Sequence, residues 1–251
     1  MAKKRQRDPR VIRPLTFERH VVEQATGSVL VTAGQTKVLC TVVAQDGVPH
    51  WMKGQGKAWL TAEYSMLPAS TRVRKPRDGR VGGKIDARSL EIQRLIGRAM
   101  RATIDLSALP EMTFWIDCDV LNADGGTRTT SINGACVALH DALSAIHAKK
   151  PFTRWPMRQL VQAVSIGLWR DDFLVDLDYR EDSACDVHLN VVRLTDGRLV
   201  EVQGTAEGSP FDDDHLVGML ELSKSACAAI RAEQERCMGL EPSGDGGSTG
   251  A

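Results

Sequence analysis

The run TFWIDCDVL, Thr113 to Leu121, alternates apolar and polar side chains along its length. Only an extended strand has a two-residue period. Phe114, Ile116, Cys118 and Val120 are therefore expected on one face, and Asp117 and Asp119 on the other. The run stops at the turn Asp124-Gly125-Gly126, and the pattern beyond it predicts a helix from about Thr130 to Ala148. A half-buried strand delivered to a helix through glycines needs a sheet with helices packed on it, and the rest of the chain must supply both.

The flanking segments do so. Ser28 to Ala44 reads as two β-rich runs around Ala33-Gly34-Gln35, a hairpin, and Lys57 to Met66 as a further strand. Asp86 to Leu106 reads as a helix capped by Asp86, with Ile85, Ser89, Ile92, Ile96, Ala99 and Thr103 as its buried stripe. Val161 to Trp169 and Phe173 to Asp178 read as strands joined at Arg170-Asp171-Asp172. Val187 to Leu194 and Leu199 to Gly204 form a hairpin around Asp196-Gly197. Phe211 to Cys237 is a long helix whose start is favoured by Asp212 to Asp214. Its buried stripe is Leu216, Met219, Leu220, Ser223, Cys227 and Ile230. The expectation is an α+β chain of two similar halves, about 10–150 and 151–238, acting as one domain over 1–240, with a Gly/Ser-rich disordered tail over 241–251. Regular βαβ alternation, GxGxxG and GxxxxGK[ST] are all missing, which argues against a dinucleotide or P-loop ATP site.

Charge narrows the function. The 251 residues hold 32 Lys+Arg and 32 Asp+Glu, so the balance is neutral and it is the placement of charge that matters. No apolar run approaches the roughly 18 residues of a membrane span. Met1 to Arg13 is basic and lacks the apolar stretch of a secretory signal. It reads as a solvated arm or a nuclear-localisation tract. The six cysteines form no CxxC pair and no zinc-finger spacing, so free thiols in a reducing cytosol are expected.

Three segments carry chemistry. In Asp124 to Ser131, DGGTRTTS, glycines let an anion approach the backbone, and the amides of the next helix point at it. Arg128 adds a guanidinium fork, and Thr127, Thr129 and Ser131 add hydroxyls. An ordinary glycine turn with a threonine cap is the alternative. Arg88, in the first turn of the Asp86 helix, joins this site only if the fold brings it to Arg128; otherwise it is a solvated arginine. Asp176 to His188, DLDYREDSACDVH, gathers Asp176, Asp178, Glu181, Asp182, Asp186 and His188, suited to Mg²⁺ or Mn²⁺ or to general acid work, or else a solvated acidic turn. The loop Leu67 to Lys84 sets Arg72, Arg74, Lys75, Arg77, Arg80 and Lys84 against Asp78 alone, a grip for a polyanion. Together these fit phosphoryl transfer, where positioning and charge stabilisation supply most of the catalysis.

At these residues the sequence resembles ribonuclease PH, from about Arg7 to Gln234. The resemblance is carried by Gly27-SVLV, Thr36-KVLCT, Trp59-LTAEYSMLP, Glu91-IQRLIGRAMRA, Ile116-DCDVLNADGGTRT, Glu181-DSA and Val200-EVQGTAEG. It implies two halves of a ribosomal-protein-S5-domain-2-like fold, assembled as a homo-hexamer, a trimer of dimers. It implies a cytoplasmic exoribonuclease that trims precursor tRNA and other RNA from the 3′ end, with inorganic phosphate as co-substrate and nucleoside 5′-diphosphates as products, and that adds nucleotides in reverse. Phosphate contacts fall on Arg88, Gly126, Thr127 and Arg128. The acid or metal carboxylate falls on Asp182, with Mg²⁺ or Mn²⁺ as the metal. RNA contacts fall on Arg72, Arg74, Arg77 and Arg80.

The chain departs from the family pattern at several positions. His188 stands where the family has a second aspartate; Asp186, two residues earlier, shares its strand face and is the compensating ligand. Ala87 replaces a glycine, Ala69 an arginine, and Asn122 and Asn133 replace commoner residues. Two expectations follow: an active phosphorolytic enzyme with Asp182, Asp186 and His188 at its centre, or a catalytically weak, RNA-binding ring subunit.

Overall fold

The computed structural model describes residues 7–77, 85–170 and 172–241. Arg80, the remaining loop residues through Lys84, Asp171 and the tail from 242 lie outside the described residues, as do residues 1–6.

The first sheet has five strands: β1 (Leu15–Arg19), β2 (Gly27–Ala33), β3 (Thr36–Asp46), β4 (Trp59–Met66) and β5 (Met112–Asn122), in the order β1-β2-β3-β5-β4. All pairs are antiparallel except β4 with β5. Parallel neighbours need a crossover connection. Helix α1 (Ala87–Thr103) lies within it, packed against β4. This is a single βαβ unit in a sheet otherwise built of antiparallel pairs. The alternation in β5 is as the sequence dictates: Phe114, Ile116, Cys118 and Val120 are buried, while Asp117 and Asp119 are half-buried on the other face.

Helix α2 (Thr127–Lys149) is the centre of the molecule. It packs on β2, β3 and β5 and also on β6 (Val161–Trp169) of the second sheet. A helix held between two sheets has no wet side to speak of, and nearly every residue from Thr127 to Leu143 is buried. Its small side chains follow from that. A Cβ on Gly134 would lie 2.6 Å from Val31 Cγ1 and 2.7 Å from Cys40 Sγ. The approach of β2 is closer still, since a Cβ on Gly27 would lie 2.2 Å from the Ala138 carbonyl oxygen. Backbone cannot move aside as a flexible side chain does. Gly27→Ala is expected to destabilise the fold by about 3 kcal/mol, read as a lower urea midpoint with unchanged slope.

The second sheet runs β7 (Asp172–Val175), β6, β8 (Val187–Leu194), β9 (Leu199–Ala206), all antiparallel. One turn of helix, α3 (Tyr179–Asp182), joins β7 to β8, and α4 (Asp213–Met238) packs on β6. The two halves share one continuous hydrophobic core. They are unequal: the second has one long helix where the first has two.

Three boundaries differ from expectation. Helix α1 stops at Thr103, and Ile85 precedes it, 45% exposed, outside the buried stripe. Strand β7 ends at Val175 because Asp176 turns left-handed at φ 52°. Helix α2 begins at Thr127 rather than Thr130, because Gly126 at φ 63° ends the turn directly in front of it. The last difference matters most, for it puts Thr127 and Arg128 in the first helical turn. The cysteines are free, as expected, and five of the six are buried. Burial pushes the Cys136 and Cys227 thiols up to about 12.

Candidate active site

Strands β4 and β5 end, and helices α1 and α2 begin, on one edge of the molecule. Asp86 caps α1 by accepting from the Arg88 amide, and Lys75 of the basic loop, 2.9 Å away, holds the Asp86 carboxyl below the usual range. Arg88 is thereby fixed in the first turn with its side chain exposed.

The glycine turn before α2 is pinned from three directions. Thr36 Oγ1 donates to the Gly125 carbonyl and accepts from the Asp124 amide, and Arg13 Nη1 donates to the Asp124 carbonyl. Glycine is required by contact as well as by φ. A Cβ on Gly125 would lie 2.3 Å from the Leu177 carbonyl oxygen, and one on Gly126 would lie 2.8 Å from Arg13 Nη2. The turn is thus pressed onto the connection after β7, and this brings the acidic segment of the second half to the start of α2.

At that start the first amides of α2 have no intrahelical acceptor, and the helix dipole favours an anion there. The Tyr64 hydroxyl donates to Thr127 Oγ1 at 3.0 Å, leaving the Thr127 proton available as a donor. Burial raises the Tyr64 pKa, while Thr127 and the charges of Arg88 and Arg128 pull the other way. Thr129 and Ser131 do not contribute hydroxyls to the site, for they donate to the Gly126 and Thr127 carbonyls.

Arg128 is held by partners that the sequence reading did not single out. Its Nη1 lies 3.1 Å from Glu91 Oε1 and also donates to Gln203 Oε1, and Gln203 Nε2 donates to Glu91 at 2.6 Å. The Gln203 hydrogen bond, then Arg128, hold the Glu91 carboxyl below its ordinary value. Gln203 sits on β9 opposite Asn190 of β8, and one strand repeat on, His188 faces Thr205. That repeat spans about 6.6 Å. His188 is therefore a near neighbour of the Arg128 cluster, on the same sheet face. Its Nδ1 lies 3.1 Å from Asp182 Oδ1 at the end of α3, and its Nε2 is buried with no hydrogen-bond partner among the described residues. The Asp182 contact raises the His188 pKa against the pull of burial.

The acidic run is not one strand face. It bends through α3, and most of its carboxylates are committed to structure. Asp176 is buried in a fork with Arg13, Nη2 to Oδ1 2.7 Å and Nε to Oδ2 3.0 Å. Burial opposes the Arg13 charge, and Asp176 more than offsets it. Asp178 and Glu181 form a capping box on α3, and Glu181 also pairs with Arg7 at 3.1 Å. Asp182, Asp186 and His188 remain. Asp186 precedes β8 and shares the face of His188 by strand period, with its carboxylate close to Gly208. In the basic loop, Arg72 stacks over the Tyr179 ring at 5.8 Å, and Arg74 and Arg77 are exposed.

Arg128 and the first amides of α2 thus lie on the sheet face that carries His188 and its partner Asp182, an arrangement suited to phosphoryl groups. Residues 11–144 match domain 1 of the 3′ exoribonuclease family and residues 159–226 match domain 2. The chain belongs to this family, the ribonuclease PH family. Among solved structures it is similar to rice (Oryza sativa) Rrp46, at 19% identity and TM-score 0.75 over 93% of this chain and 98% of that one. It is also similar to an Archaeoglobus fulgidus exosome with RNA bound to the active site, at 23% identity and TM-score 0.76 over 90% of each chain. An archaeal exosome core matches at 23% identity and TM-score 0.70 over 92% of this chain and 88% of that one. Identities this low support the fold.

Proposed function

We propose that this chain is a phosphate-dependent 3′-to-5′ exoribonuclease. The observation that supports the reading is the start of α2, where Tyr64 bonds Thr127 and Arg128 is tied through Gln203 to the β8–β9 face that carries His188 and its partner Asp182. Inorganic phosphate would sit on the α2 amides between the two guanidiniums, with Gly126 giving room for its approach and Thr127 donating. In place there, its oxygen attacks the terminal phosphodiester of RNA. The bond from phosphorus to the neighbouring 3′ oxygen breaks, that oxygen takes up a proton, and a nucleoside 5′-diphosphate leaves. Asp182 would serve the leaving oxygen. Glu91 and Gln203 act as positioning residues for Arg128.

The implied cation fits these side chains in one mode only. Among the described residues no three His, Cys, Asp or Glu side chains form a ready cage. Mg²⁺, however, commonly binds through one or two carboxylates together with substrate phosphates. Asp182 and Asp186 would hold Mg²⁺ or Mn²⁺ in that way. When bound, the ion would neutralise charge on the transferring phosphoryl group.

Arg72, Arg74, Arg77 and Arg80 would hold the RNA backbone. Precursor tRNA 3′ ends are the proposed substrates, and a cytoplasmic homo-hexamer the proposed assembly. The exosome similarities support RNA and ring formation as the setting. No helix among the described residues is long and apolar enough to cross a membrane.

A short RNA with a single-stranded 3′ tail, incubated with Mg²⁺, is expected to release nucleoside diphosphates only when phosphate is added. Chromatography of the products reads this directly, and release without phosphate would contradict it.

One observation favours a second reading, a weakly catalytic RNA-binding ring subunit. His188 replaces a carboxylate and takes up Asp182 as its partner. His188→Asp separates the two readings. If this position limits turnover, the rate rises strongly; an unchanged rate shows that imidazole serves as well.

A further inference from the structure

A cavity of about 760 Å³ opens far from the candidate active site, between α4, the start of β6 and the β8–β9 turn. His188 lies at the opposite end of β8 from this turn, and seven residues of strand span about 23 Å. The volume falls within the range of small-molecule sites.

The wall of this cavity holds a buried charge without a counter-charge. Arg193 is 6% exposed, and its guanidinium donates to Ser223 Oγ at 3.0 Å, the Gly197 carbonyl at 2.9 Å and the Leu220 carbonyl at 3.0 Å. All three acceptors are neutral. They use three of the five donors a guanidinium carries, and no carboxylate pairs with it among the described residues. A buried charge lacking an ionic partner is costly, and an anion in the adjoining space relieves that cost.

The other lining groups favour an anion as well. Arg158, Lys224 and Arg231 bring the cations to four, against Asp196, Glu235 and Glu241; Arg231 is taken up by Glu235, while Arg158 and Lys224 are exposed and pair only weakly, with Asp105 and Glu221. Two of these acids are already engaged, Asp196 by Arg198 and Glu235 by Arg231. Trp155, 38% exposed, is packed edge-on against His140 and His147 and lines the same cavity, offering a fixed aromatic surface. His140, also at this wall, has its Nδ1 turned to Asp141 Oδ1 at 3.6 Å and adds nothing to the anion-binding groups.

We propose that this cavity binds a mononucleotide, with its phosphoryl groups at Arg193, Lys224 and Arg158 and its base against Trp155. The proposal does not depend on the phosphorolysis reading. The test is equilibrium dialysis of labelled ADP against the full chain carrying Arg128→Ala, which disables the candidate active site. Adenosine and pyrophosphate serve as separate probes. ADP is expected to bind this chain more tightly than either probe, and Lys224→Glu is expected to weaken it by about tenfold or more. Lys224 is a surface residue of α4, so this variant keeps the test valid if Arg193→Gln fails to fold. Phosphorolysis by Lys224→Glu in an otherwise unaltered chain is expected to be unchanged. No ADP binding to the Arg128→Ala chain, or binding that ignores both Lys224→Glu and Arg193→Gln, would overturn the site. Pyrophosphate binding as tightly as ADP would overturn the nucleotide assignment.

Discussion

Arg128→Ala is expected to lower phosphorolysis by about 10²–10³ while leaving the fold intact, since removal of one well-aimed charge donor has that typical effect. The structure explains why the loss falls on chemistry. Arg128 stands in the first turn of α2 beside the free amides, and its guanidinium is fixed by Glu91 and Gln203. Removing it leaves Glu91 still bonded to Gln203 at 2.6 Å, so no buried acid loses all its partners. The Glu91 side chain is also 47% exposed, so the lost pair is worth less than about 1 kcal/mol of stability. Rate and melting temperature should therefore separate: a large fall in turnover with a nearly unchanged melting curve. Near wild-type turnover by this variant would remove the phosphate assignment.

Asp176→Ala is expected to show the opposite pattern, a loss of folding stability of about 3–5 kcal/mol. The carboxylate accepts from the Arg13 side chain at 2.7 and 3.0 Å and from the Arg13 amide at 2.8 Å. Arg13 is 5% exposed, and without Asp176 it becomes an uncompensated buried charge. For a chain of this length each kcal/mol moves the midpoint by roughly 2–4 °C, so a shift of about 10 °C is expected in thermal unfolding. Activity should fall as well, because Arg13 ties the glycine turn of α2 to the acidic segment. A melting temperature equal to that of the unaltered chain would show that this fork does not join the halves.

These two residues show what the sequence makes legible. Arg128 is visible because its chemistry is local. A glycine pair followed by a guanidinium suggests an anion site from sequence alone, whereas Thr129 and Ser131, read there as hydroxyl donors, bond their own helix backbone. The strands are legible for the same reason, as β5 shows, where a strict two-residue period places Asp117 and Asp119 away from the core. Asp176 is not legible in this way. It sits in a run of similar carboxylates, and only the left-handed turn at φ 52° and the distant Arg13 make it structural, while Asp182 meets His188 instead.

Gln203 was hidden because its role is tertiary. Counting back from a two-residue turn at Asp196-Gly197 does set Gln203 opposite Asn190, as observed, and the register shift between Val192 and Arg193 stays next to the turn. The strand pattern does not contain the arrival of Glu91 from α1 and Arg128 from α2 at that residue. The start of α2 was misplaced for a local reason. Threonines are weak helix formers, and Gly126 in the left-handed region lets the helix begin before the apolar pattern does.

The most direct test of the central claim follows the phosphorus atom. The chain is incubated with unlabelled RNA, Mg²⁺ and ³²P-labelled inorganic phosphate, and the released nucleotides are separated. If phosphate is the attacking group, the product is a nucleoside 5′-diphosphate carrying the label in its β-phosphoryl group, since the α-phosphorus comes from the RNA. Release of unlabelled nucleoside monophosphate would show that water attacks instead, and would contradict the phosphorolytic reading of Arg88, Arg128 and the α2 N-terminus.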